Sequence, residues 1–278
     1  MAQEQWTSGG LTFDVRVGGP AQGDPVLLLH GFPQNSGEWG AVSLRLHEAG
    51  YQTIAPDQRG YSPGARPTAV EEYRTEKLVE DAIGLLDARG LESVHLVGHD
   101  WGAAVAWALA AAHPQRVRTL TALSVPHPAA FTTAIRTDRE QRRKSVYMLF
   151  FRRSRVPERV LLAFDARPLR AAFRGAGLTP TQIAAYVEPL QQSGALTGAL
   201  NWYRAMSGRD SGATKPVSVP TTFIWSNQDV AIGRAGAVAC ALYVEGEYRF
   251  VELDGLSHWL PDEAPDRVAE IILDRIEK

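Results

Sequence analysis

Gly98-His99-Asp100-Trp101-Gly102 stands where an apolar run, Val94 to Gly98, gives way to an alanine-rich helical stretch, Trp101 to Ala112. A side chain in the middle of such a strand-to-helix turn sits on a sharp, strained bend, and small residues flank it because the backbone there is crowded. The usual occupant is serine, which needs a base before it can attack. Aspartate does not, since a carboxyl with a reference pKa near ~3.9 is already ionised at neutral pH. Alone, the pentapeptide also fits an aspartate that caps the following helix. Three other segments point to chemistry. Asp229 follows the run Thr221 to Trp225, and His258 follows the run ending Val251-Glu252-Leu253, inside Gly255-Leu256-Ser257-His258-Trp259. The order nucleophile, acid, histidine, each beyond a strand, lets a base and its orienting carboxylate meet Asp100 at one edge of a sheet. His30-Gly31-Phe32-Pro33, after the run Val26 to His30, can offer the Phe32 N–H, and the turn at Asp100 the Trp101 N–H, to a developing oxyanion. By itself His30-Gly31 reads equally as a plain turn.

These residues need a scaffold, and the chain spells one out. Thr12 to Val17 and Gln52 to Ala55 read as strands, Trp39 to Ala49 as a helix, and Thr75 to Arg89 as a helix with Leu78, Ala82, Leu85 and Leu86 at 3–4 spacing. Val26 to His30 and Val94 to Gly98 are nearly continuous apolar runs, as strands buried on both faces require. Val117 to Val125 is the next strand. From about His127 to Pro216 the segments are helix-like without a buried strand, and strand–helix alternation resumes at Thr221 to Trp225, Arg234 to Ala241, Tyr248 to Leu253 and Ala264 to Ile276. The expectation is an α/β fold with a mostly parallel central sheet flanked by helices, formed by 1–126 and 217–278, with 127–216 as an inserted helical cap.

The 278 residues carry 29 Lys+Arg against 31 Asp+Glu, a formal charge of −2, which speaks against a nucleic-acid partner held by a basic excess. With 45% hydrophobic residues the chain is not of the disordered class. The lone Cys240 cannot form an internal disulfide, Met1 to Gly10 lacks the layout of a signal peptide, and no apolar run approaches the ~20 residues of a membrane span, so a cytoplasmic location is expected. The segment from Arg136 to Arg159 holds nine Lys+Arg against three Asp+Glu. That run reads either as a solvated helical face or as an anion or membrane contact.

His30-Gly31-Phe32-Pro33, Asp57-Gln58-Arg59-Gly60-Tyr61-Ser62, the Asp100 pentapeptide, Asp229 and Gly255 to Trp259 together resemble the α/β-hydrolase superfamily, and within it the epoxide hydrolases. The resemblance spans about residues 10 to 275. It implies Asp100 as nucleophile, His258 and Asp229 as the base and its acid, Phe32 and Trp101 as oxyanion-hole amides, and a cis Phe32–Pro33 bond. It also implies two cap tyrosines that hold the epoxide oxygen: Tyr203, in Leu200-Asn201-Trp202-Tyr203-Arg204, and Tyr147, in Val146-Tyr147-Met148-Leu149-Phe150-Phe151, with Tyr186 and Tyr73 as competitors. The sequence departs from the family pattern at Ser62-Pro63-Gly64-Ala65-Arg66 and at Trp225-Ser226-Asn227-Gln228-Asp229, where a glycine and a charged residue commonly precede the acid.

Such a set opens an epoxide by attack of Asp100 on carbon, with a tyrosine neutralising the leaving alkoxide and His258 then activating water against the ester, to give a vicinal diol. Water and a small-molecule epoxide are the expected partners; no metal or cofactor is implied, and monomer and homodimer stay open. Trp39, Trp101, Trp202, Tyr147 and Tyr203 are the expected substrate-binding residues, and Met148, Phe150, Phe151 and Met206 further candidates for shaping the pocket. A haloalkane or haloacid dehalogenase shares the aspartate but needs a second halide donor beside the His-Gly loop, where Phe32 has no side-chain N–H. A catalytically silent ligand-binding protein of the same fold is the third reading.

Overall fold

The structure, a computed structural model, describes residues 1–206 and 215–278. Eight strands form one sheet in the order β1-β2-β4-β3-β5-β6-β7-β8: β1 (Ala2–Ser8), β2 (Leu11–Gly18), β3 (Pro25–Leu29), β4 (Gln52–Pro56), β5 (Val94–His99), β6 (Val117–Leu123), β7 (Thr221–Ser226) and β8 (Tyr248–Leu253). The β1–β2 and β2–β4 pairs are antiparallel and all others parallel. Strand β1 falls within the polar N-terminal residues, where no strand is expected from apolar content. It forms because Gly9 and Gly10, both at positive φ, close a two-residue hairpin that pairs Ser8 with Leu11.

Alternate residues of the central strands feed two cores. Val26 and Leu28 join α1 (Gly40–Glu48) and, near the C-terminus, α13 (Pro265–Ile276), while Leu27 and Leu29 join α2 (Thr75–Asp87) and α3 (Trp101–Ala112) on the other face. Between β6 and β7 run α4 (Pro128–Thr137), α5 (Arg139–Lys144), α6 (Val146–Phe151), α7 (Val156–Leu161), α8 (Ala163–Arg170), α9 (Pro180–Leu190) and α10 (Ala195–Ala205). After β7 come α11 (Arg234–Ala239) and, beyond β8, α12 (Leu260–Glu263). The insertion expected over 127–216 thus begins as helices, and its residues 207–214 lie outside the described ones.

The turn from β5 into α3 is built on close approach. Asp100 has φ 51° and ψ −119°, a conformation that costs a non-glycine residue ~1–3 kcal/mol. A Cβ at Gly98 would overlap the Gly102 carbonyl, one at Gly102 would overlap the Leu29 and His30 carbonyls, and one at Gly31 would occupy the space of the Asp100 carboxylate. Gly102→Ala should therefore lower stability by ~1–3 kcal/mol, read as a drop in the thermal unfolding midpoint. An unchanged midpoint would contradict this account of the turn.

Candidate active site

Four parallel strands end at one edge of the sheet, and each delivers one part of the site. Strand β5 delivers Asp100, β3 the His30–Pro33 loop, β7 Asp229 and β8 His258. The Asp100 carboxylate splits its two oxygens. Its Oδ1 accepts the Phe32 N–H at 2.9 Å, and Oδ2 lies 3.2 Å from His258 Nε2. On the other side of the ring, His258 Nδ1 is 2.7 Å from Asp229 Oδ2, while Asp229 Oδ1 accepts the N–H groups of Ala231 and Ile232 at 2.7 and 2.8 Å. Trp101 opens α3, so its N–H belongs to the first turn and has no partner within the helix.

The loops are fixed by their neighbours. His30 Nε2 accepts the Gln58 N–H at 3.0 Å and the Gln58 side chain donates to the His30 carbonyl at 2.6 Å, which locks the His30–Pro33 loop to the loop after β4. That second loop is held by Arg59, which grips Asp81 with two bonds of 2.6 Å. The Phe32–Pro33 bond is cis, as the resemblance implies. The backbone carbonyl of His258 accepts from His99 Nε2 at 2.8 Å and from Ser124 Oγ at 3.0 Å, which anchors the loop carrying the imidazole.

Asp100, Asp229 and His258 are 6, 1 and 2% exposed. Burial alone would strip the proton from His258, but the Asp229 and Asp100 carboxylates outweigh it and raise its pKa to about 10. For Asp100, burial favours the neutral acid, yet the hydrogen bond and charge of His258, together with the Phe32 amide, bring its pKa below the ordinary value. The resting site is therefore an ionised aspartate beside an imidazolium.

Above Asp100 lies a narrow cavity of about 100 Å³ whose walls include Trp101, Phe131, Met148, Met206 and Ile232, with Tyr147 and Tyr203 as polar members. The two phenol rings stand 6.2 Å apart, and Tyr203 meets Trp101 edge-on at 5.0 Å and Phe32 at 5.6 Å. Burial, reinforced by the charge of Asp100, raises both phenols above their ordinary pKa, so both keep their protons at neutral pH. The competing tyrosines are engaged elsewhere: Tyr186 donates to Asp262 Oδ1 at 2.8 Å and Tyr73 to the Pro67 carbonyl at 2.8 Å.

A family model described as alpha/beta hydrolase fold matches residues 24–265. AB hydrolase superfamily protein YfhM of Bacillus subtilis (strain 168) is 36% identical, the match covering 95% of this chain and 94% of that protein. Epoxide hydrolase 3 of Xenopus tropicalis is 33% identical, over 95% of this chain and 74% of the relative. The crystal structure of epoxide hydrolase A from Mycobacterium thermoresistibile superposes with a TM-score of 0.89 at 29% identity, covering 99% of this chain and 98% of that one. The chain belongs to the epoxide hydrolase family of the α/β-hydrolase fold.

Within this epoxide hydrolase family member, two aromatic residues expected to touch substrate do not line the cavity. Trp39 is fully buried beside Val42 and Leu46 in the core on the α1–α13 face, because the 3-10 turn Ser36–Trp39 points it back under the sheet. Trp202 lies behind the wall: its indole donates to the Arg59 carbonyl at 2.8 Å and its ring backs Trp101 at 5.6 Å. Phe150 and Phe151 pack on each other at 5.9 Å, with Phe151 against Phe32 at 5.5 Å, and neither lines the cavity that Met148 does. Conversely, Phe131 and Ile232 line the cavity and carry no sequence signature, although Ile232 sits three residues after Asp229 and its N–H binds that carboxylate.

The His258 shift has a sign that can be tested. A folded-state pKa raised from the reference ~6.5 contributes stability that is complete below ~6.5 and is lost as pH rises through about 10. Ring titration of His258 by NMR should give a pKa near about 10 in the free protein. Asp100→Asn, which removes one of the two charges, should lower it; a wild-type ring titrating near ~6.5 would remove the ion pair from the account.

Proposed function

We propose that the protein is an epoxide hydrolase that works through an ester on Asp100, with residues 127–216 acting as a cap over the site. The observation that carries the reading is the division of labour at the Asp100 carboxylate. Oδ1 is engaged by the Phe32 N–H, and Oδ2, which faces His258 Nε2 at 3.2 Å, is the oxygen we assign to form the bond to substrate. It attacks an epoxide carbon, the C–O bond breaks, and Tyr203 or Tyr147 donates its proton to the leaving alkoxide. An alkoxide is too basic to leave without such a donor, and general acids of this kind contribute roughly 10²–10⁴-fold.

Ester formation cancels the charge on Asp100 and its bond to His258. Two of the influences that keep the imidazole protonated are gone, and Asp229 alone does not hold the proton as tightly. His258 sheds one proton, which balances the one given up by the tyrosine, and becomes a base. It then takes a proton from water as that water attacks the ester carbonyl carbon. The negative charge that develops on Oδ1 meets the N–H groups of Phe32 and Trp101. On collapse the bond from the carbonyl carbon to Oδ2 breaks, His258 passes its proton to the departing alkoxide to give the vicinal diol, and the new carboxyl group returns its proton to His258, restoring carboxylate and imidazolium. Asp229, held by two backbone amides, orients the ring as the third member of a triad. The dehalogenase reading is not favoured, since Phe32 brings no side-chain donor and the two tyrosines occupy the wall a halide would face.

Two variants separate the half-reactions. His258→Gln should form the ester and fail to hydrolyse it, so that intact-protein mass spectrometry after epoxide treatment shows a substrate-mass adduct that maps to Asp100. Tyr147→Phe combined with Tyr203→Phe should slow ester formation by roughly 10²–10⁴-fold in single-turnover experiments. Unimpaired ring opening in the double variant would remove the tyrosines from the mechanism, and a His258→Gln protein that never gains mass would count against the ester.

A further inference from the structure

The outer surface of the insertion is unlike the rest of the molecule. Helix α6 turns Tyr147 and Met148 to the cavity, while Val146 and Leu149 on its other side are 59 and 66% exposed. Helix α7 buries Pro157 and Leu161 and leaves Val156 and Val160 in solvent. Both helices lean on α10 through their inner sides, α6 by the Phe151–Tyr203 ring contact at 5.1 Å and α7 by Glu158, which binds Arg204 at 2.8 Å. Val146, Leu149, Val156 and Val160 are thus solvent-facing apolar residues on two consecutive helices that both pack on α10. Phe164, 86% exposed, adds a further apolar side chain on α8, where the backbone at residues 164–166 is left-handed and Ala166 is buried.

Exposed arginines flank these apolar residues along the chain. Arg142, Arg152, Arg153, Arg155 and Arg159 are exposed, and among the described residues none forms an ion pair, although Arg152 donates to the Met206 carbonyl at 3.2 Å. The carboxylates of these segments have partners: Glu140 pairs with Lys144, Glu158 with Arg204 and the exposed Asp165, beside Phe164, with Arg170 at 3.7 Å, and Asp138 caps α5 by accepting the Gln141 N–H. Bulky apolar side chains interleaved with unpaired arginines are the composition that lies at a lipid interface, the apolar groups entering the acyl boundary and the cations meeting anionic headgroups. A second copy of the chain fits poorly, because a two-fold contact would set this cationic surface against itself.

We infer that the α6–α7 face of the insertion docks on an anionic bilayer surface. The contact is peripheral, since among the described residues no helix is long and apolar enough to cross a membrane. Docking stands independently of the reaction. Its consequence rests on the proposed function: Tyr147 and Met148 line the cavity from the helix whose reverse side would touch lipid, so docking would hold a wall of the site at the bilayer surface, where apolar epoxides collect.

Flotation of the full chain with vesicles of phosphatidylcholine, with and without phosphatidylserine, tests the docking without any assay of turnover. Binding should require phosphatidylserine and weaken with salt. Leu149→Asp with Val156→Asp should abolish it, and Arg153→Glu with Arg155→Glu should weaken it at least roughly fivefold per arginine removed. The same variants should hydrolyse a water-soluble epoxide at the wild-type rate, which shows that they are folded. No binding to anionic vesicles by the wild type, or binding that the variants leave unchanged, would overturn the inference. So would a concentration-dependent dimer in sedimentation that Leu149→Asp dissolves, since that would assign the face to a second copy.

Discussion

Two carboxylates and one imidazole share a space from which water is nearly excluded, and the site depends on how that charge is balanced. Asp229 and Asp100 flank His258 at 2.7 and 3.2 Å, and each of the three groups is buried. An unpaired charge at such depth would neutralise itself rather than persist. With both carboxylates in place the histidine keeps its proton. Removing one partner from a buried ion pair typically costs ~3–5 kcal/mol, because the remaining charge is left without compensation. In the proposed cycle the chemistry itself removes a partner, since alkylation converts Asp100 from an anion to a neutral ester. The fold thus stores the condition for the second step in the first.

The rest of the structure keeps that arrangement in register. Parallel strands bring their carboxyl ends to one edge, and the strained turn at Asp100 lifts the carboxylate clear of the sheet, where the Phe32 amide can meet it. Glycines at 31, 98 and 102 exist because backbone and carboxylate come too close for any side chain. His99 and Ser124 hold the backbone beneath His258, and Arg59 with Gln58 holds the loop beside His30. Over this base the helical insertion supplies what the sheet lacks, namely two protonated phenols and an apolar wall.

Legibility in the sequence followed the physics of each feature. Central strands buried on both faces announce themselves as apolar runs, and the site residues on them are placed by chain order. The edge strand Ala2–Ser8 is half-exposed and polar, so only its Gly9-Gly10 hairpin marks it. Asp229 is marked in the sequence by its place after β7, and the amides that fix its carboxylate come from Ala231 and Ile232, after it, where the sequence carries no signature. Aromatic residues were harder, because a tryptophan's type says nothing of which way it faces. Trp101 lines the cavity, Trp202 backs it, and Trp39 lies in the opposite core. The departure at Ser62-Pro63-Gly64 is accommodated by a short 3-10 turn, with Ser62 donating to the Asp57 carbonyl at 2.5 Å.

The central claim is that one oxygen of the product diol comes from Asp100 and not directly from water. Single turnover of an epoxide with excess protein in heavy-oxygen water tests it most directly. The account predicts an unlabelled diol from that first turnover and heavy oxygen in the peptide that contains Asp100. Heavy oxygen in the first-turnover diol, with none in the peptide, would contradict it.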